Sequence, residues 1–69
     1  MKRFRFLIKD YDGFCHSIER DALSVDDAIV SAKVMTTDVN FVESVTLYEM
    51  LSSDSCGPLR YIGIYRYGD

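Results

Sequence analysis

The sequence reads as an α+β fold of order β-β-α-β-β, one helix packed on one face of an antiparallel-rich four-stranded sheet. Residues 3–9 and 14–20 alternate apolar and polar side chains on either side of an Asp-Gly pair, the pattern of a hairpin with one buried face. Residues 23–35 carry Val25, Ala28, Ile29, Ala32 and Met35 at helical spacing, one apolar stripe. Residues 41–51 and 59–67 are rich in β-branched and aromatic side chains and flank a Ser, Asp, Gly and Pro stretch, hence two strands and a loop. One helix cannot cover both faces of such a sheet, so one face is expected to stay open.

In the first strand Phe4, Phe6 and Ile8 form the buried side, against Arg3, Arg5, Leu7 and Lys9. Asp12-Gly13 turns the chain, and the second strand places Phe14, His16 and Ile18 opposite Cys15, Ser17 and Glu19. Ser24 is the natural N-cap, because its hydroxyl can accept from an amide that the first helical turn leaves unpaired. Asp26 and Asp27 follow at the positive end of the helix dipole. Asp27 stands at the capping-box position, and Leu23 is placed to staple onto Ala28. Thr36, Thr37, Asp38 and Asn40 disfavour continuation of the helix.

The third strand leaves its faces ambiguous: Phe41, Val45 and Leu47 share a parity with Glu43 and Glu49, and Val42, Tyr48 and Met50 hold the other. In the fourth, Ile62 and Ile64 are expected to face the helix, with Tyr61, Tyr65 and Tyr67 on the open side.

A 69-residue chain is a single domain, 1–69, near the lower limit for folding without staples, since such a domain buries only ~60% of its unfolded surface. Its 48% apolar content, with five Tyr and four Phe, supplies a modest core and excludes the composition of a disordered chain. No apolar run reaches membrane-spanning length. The charged start MKRFRFLIKD lacks the apolar core of a signal peptide, so a cytoplasmic location is expected. Two cysteines, Cys15 and Cys56, fall short of a disulfide framework and read as reduced thiols. One His and no CxxC argue against a metal centre, and no cofactor is expected.

No paired-carboxylate, phosphate-loop or Ser/His/Asp arrangement stands out. His16 cannot use Cys15, because adjacent strand residues point to opposite faces; it reads as a partly buried structural histidine, and the chain as a non-enzyme. Two surfaces remain as partner-binding candidates. One is the open face, with Tyr61, Tyr65, Tyr67, Arg3 and Arg5, the residue types enriched in protein interfaces. The other is an acidic helix edge, Asp21, Asp26 and Asp27. Residues 10–54 hold ten acidic and two basic side chains, whereas the two ends together hold six basic and one acidic. Such a layout steers association with a basic partner. Tyrosine interleaved with arginine also suits base stacking, but a net charge of −3 is not the basic footprint of a nucleic-acid binder.

Over residues 19–50, ERDALSVDDAIVSAKVMTTDVNFVESVTLYEM, the chain resembles a pattern of small proteins in which a strand leads into a capped Asp-Ala helix and then a Phe-Val strand. The shared positions are Ala22, Ser24, Asp27, Ala28, Ala32, Phe41 and Val42. It is similar in this to the coliphage inhibitor of host RNA polymerase, to short anti-CRISPR proteins and to the partial RNase H-like domain of HicB antitoxins. The resemblance implies a stand-alone, non-catalytic protein that occupies the surface of a host protein or nucleoprotein complex. An anti-CRISPR-like role comes first and inhibition of host transcription second. A self-associating protein that uses its open sheet face as a homodimer contact is the alternative.

Overall fold

The computed structural model describes residues 1–54 and 56–68. Its elements are β1 (Lys2–Asp10), β2 (Cys15–Ala22), α1 (Val25–Met35), β3 (Val42–Met50) and β4 (Leu59–Tyr65). The strands form one antiparallel sheet in the order β2-β1-β3-β4. β2 and β3 therefore run parallel with β1 between them. A parallel pair needs a crossover that traverses the sheet, and α1 is that crossover. This connectivity commits the helix to one face.

The β1–β2 turn is a three-residue loop closed by Asp10 and Phe14, with the Asp10 amide donating to the Phe14 carbonyl at 3.0 Å. Gly13 takes the left-handed conformation (φ 91°) that such a loop requires at its last position. Asp10 Oδ1 accepts from the amides of Asp12 and Phe14, so this carboxylate organises the turn. β2 begins only at Cys15, and the Phe14 ring stays exposed.

Helix α1 begins as expected: Ser24 is extended, and its Oγ accepts from the Asp27 amide at 3.2 Å. Leu23 is exposed rather than stapled to Ala28. At the other end the Thr36 and Thr37 hydroxyls donate to the carbonyls of Lys33 and Val34 at 2.6 and 2.7 Å. The same two carbonyls also accept from the Thr36 and Thr37 amides at 3.2 and 3.1 Å, the tightened last turn with which a helix satisfies its terminal acceptors.

The core joins Phe4 and Phe6 of β1, Ala28 and Ala32 of α1, and Val45 and Leu47 of β3, all buried, with Val25, Ile29 and Met35 packed around them. Ala28 and Ala32 are the two buried residues of the helix. Close packing makes each large side chain here expensive to truncate, about 2–5 kcal/mol for a Leu-to-Ala change.

Two irregularities decide which side chains reach the core. Between Lys9 and Asp10 the pairing with β3 jumps from Ser44 to Val42, leaving Glu43 as the extra residue of a bulge. Val42 and Val45 consequently both face the helix despite opposite parity, which resolves the ambiguity of the third strand. In β4, Tyr48 pairs with Tyr61 and Leu47 with Gly63, so Ile62 is the extra residue. A bulge of this kind breaks the two-residue alternation. Ile62 and Tyr65 pack on the core, and Ile64 is carried to the other face. The expected faces of Ile64 and Tyr65 are thereby exchanged.

Candidate functional site

The helix lies on one side of the sheet, and no helix or strand among the described residues covers the other. Side chains directly opposite one another in an antiparallel pair share a face, so the register assembles this open surface. Its central row runs Glu19, Arg5, Tyr48, Tyr61 across all four strands. A neighbouring row runs Ser17, Leu7, Thr46, Ile64, and Asp21 and Arg3 lie on the far side of the first.

Arg5 Nη2 donates to Glu19 Oε2 at 2.7 Å, and Arg3 Nε donates to Asp21 Oδ1 at 3.0 Å. Each pair spans β1 and β2, where register puts the partners opposite one another. The hydrogen bond from Arg3, reinforced by its charge, holds the Asp21 carboxyl below the usual range; the same contact raises the Arg3 guanidinium further. Both groups are exposed, so water screens most of the energy. Tyr48 and Tyr61 meet edge to face with centroids 5.9 Å apart and planes at 67°, a geometry aromatic quadrupoles favour. Tyr61 is 59% exposed and Ile64 40%, so the apolar part of this face borders the free edge of β4.

The site residues expected from sequence divide accordingly. Arg3, Arg5 and Tyr61 do lie together on the open face. Tyr65 does not: the bulge turns it to the helix side, where the Lys33 Nζ stands 6.0 Å from its ring centroid. Its ring also covers Gly63, whose absent Cβ would come within 3.0 Å of the Tyr65 hydroxyl. Tyr67 lies beyond the end of β4 and is exposed. Asp21 belongs to β2 and the open face, paired with Arg3, and not to an acidic helix edge. Asp26 and Asp27 stay in the first helical turn and are exposed.

The charge segregation along the sequence is undone by the fold. Besides the two arginine pairs, Lys9 reaches Glu43 at 3.8 Å, Lys2 reaches Glu49 at 3.7 Å, and Arg60 bonds the same Glu49. The basic ends and the acidic middle are thus neighbours in one sheet, and their opposite charges face each other across strands. His16 is exposed rather than partly buried, with Nε2 3.6 Å from Asp10 Oδ2.

Tyr48 and Glu19 were not singled out from the sequence. Once Val45 and Leu47 are assigned to the core, alternation alone sends Tyr48 to the opposite side. Among the described residues, no group of three or more His, Cys, Asp or Glu side chains is placed to hold a metal ion. Cys15 and Cys56 are free and exposed. No helix is long and apolar enough to cross a membrane. No family model, curated protein or solved structure matches the chain.

Proposed function

We propose that this is a non-catalytic binding protein that uses the open sheet face to occupy the surface of a protein partner. The observation that carries the reading is the central row Glu19–Arg5–Tyr48–Tyr61 on a face that no helix or strand among the described residues covers. Tyrosine and arginine dominate interface hot spots because they combine large contact area with directional polar groups. The arginines of this face are each engaged by a carboxylate. Contact with nucleic-acid phosphates would have to break those pairs, which favours a protein over a nucleic acid. Action by occupancy is also what the resemblance to small phage inhibitors implies, with an anti-defence target first and host RNA polymerase second.

The test compares wild type with a Tyr48→Ala, Tyr61→Ala double variant and an Asp26→Asn, Asp27→Asn double variant, each immobilised against bacterial lysate. The reading expects one defined protein to be retained by wild type and by the helix variant but lost from the tyrosine variant. Retention unchanged by the tyrosine substitutions refutes it.

A second reading, self-association, is favoured by the character of β4. It is an edge strand with Arg60 as its only charged side chain, whereas the opposite edge, β2, carries Glu19, Arg20 and Asp21. Charges guard an edge against pairing with another chain, and β4 is the less guarded. Sedimentation separates the two readings. A concentration-independent monomer supports a foreign partner; a dimer abolished by Tyr61→Arg supports self-pairing.

A further inference from the structure

The β1–β2 turn and the α1–β3 connection meet at one end of the sheet, because Asp10 pairs with Val42. Between them lies a cleft of about 340 Å³, at the small end of the range for ligand sites. Ile8 and Val42 supply apolar surface, Tyr11 and Phe41 supply aromatic rings, and Asp10 and Asp12 supply carboxylates. Tyr11, Phe14 and Phe41 are all strongly exposed at this end, an unusual concentration of bare aromatic surface in so small a chain.

No lysine or arginine lines the cleft. His16 and Asn40 complete its lining, and His16 faces Asp10; Asp12 has no ion-pair partner among the described residues, unlike Glu19, Asp21, Glu43 and Glu49 of the sheet. One oxygen of Asp10 holds the turn and the other faces His16, so Asp10 is fixed in place while Asp12 stands exposed beside it. An apolar floor, aromatic rings and fixed negative charge together suit a guest with an aliphatic stem and a flat cationic head. The stem lies along apolar surface, the head stacks on a ring, and its N–H fork pairs with carboxylate.

We infer that this cleft receives an arginine side chain from a basic segment of a protein partner. Phe14 does not line the cleft but leaves further apolar surface exposed at the same turn, which favours a polypeptide over a free small cation. The inference is independent of the docking proposed for the open face, since the cleft opens at the strand ends and shares no residue with the Glu19–Tyr61 row.

The test titrates the isotopically labelled protein with an acetylated hexa-arginine amide and, in parallel, the hexa-lysine equivalent, following backbone amide shifts. The expected result is saturable shifts grouped at Tyr11, Asp12, His16 and Phe41, with hexa-lysine at least about three-fold weaker because an ammonium lacks the fork and the stacking plane. Phe41→Ala and Asp12→Asn should each weaken the arginine peptide by about five-fold, roughly one stacking or ion-pair contact. Tyr61→Ala should leave it unchanged. Both altered cleft side chains are exposed, and an unchanged spectrum elsewhere verifies the fold. Overturning results are an absence of shifts at this end, shifts equally large at Asp26 and Asp27, or equal affinity for the two peptides.

Discussion

The rings of Tyr48 and Tyr61 meet edge to face across β3 and β4, on the side of the sheet that the helix does not touch. A tyrosine on an edge strand contributes little to a monomer when more than half of it is in water, as Tyr61 is. Tyr61→Ala is therefore expected to cost no more than about 1 kcal/mol, the worth of an aromatic pair, while removing partner binding. Chemical denaturation and capture on the same variant check the split. A loss of several kcal/mol would make the ring structural.

Leu47 occupies the same strand one residue from Tyr48 but is completely buried among Phe4, Phe6 and the helix alanines. Leu47→Ala should cost about 2–5 kcal/mol, enough to unfold much of a domain whose total stability lies near the lower end of ~5–15 kcal/mol. Ser24→Ala should cost about 1 kcal/mol through the lost cap. Denaturant midpoints on the three variants should rank Leu47 first, then Ser24 and Tyr61 together.

A Cβ at Gly63 would lie 3.0 Å from the Tyr65 hydroxyl, so a branched side chain there crowds that ring. Gly63→Val is expected to displace that ring from the core and from Lys33, at about 1–3 kcal/mol for overpacking. The aromatic signals of Tyr65 should shift while those of Tyr48 stay in place. Movement of Tyr48 instead would mean that the bulge at Ile62 is misplaced.

Asp21 has its carboxyl pKa lowered by Arg3. A depressed folded-state value means that the pair's contribution is present above the unfolded pKa. It is lost as pH falls through the lower folded value, which places the window below about pH 4. Carboxyl titration by NMR should find Asp21 ionised more strongly at that pH in the wild type than in an Arg3→Gln variant. An Asp21 titration unchanged by Arg3→Gln would show the pair to be open in solution.

Most of the framework could be read from residues whose effect is local. Ser24 caps the helix from one hydroxyl, Ala28 and Ala32 repeat at the helical period, and Gly13 supplies a left-handed turn position, all within a few residues of chain. The misplacements share one cause. A bulge is set by the pairing between strands, so nothing near Ile62 or Glu43 in the sequence announces the extra residue, and every side chain beyond it changes face. Tyr65 was lost from the open side in this way, and Val42 gained for the core.

Charge failed for a related reason. The cations of β1 and the carboxylates of β2 are far apart in sequence and adjacent only across the ladder, so Asp21 read as part of an acidic edge when it is half of an ion pair. The chemistry of a docking face is a property of register, and register was the part least visible in a linear chain.

Placing a photoreactive phenylalanine analogue at position 61, and separately at Ser31 on the exposed side of the helix, tests the proposed docking most directly. After irradiation in lysate, the position-61 protein should carry a covalent adduct of one defined foreign chain, and the position-31 protein none. Adducts formed from position 31 alone, or from neither position, would contradict docking through the open sheet.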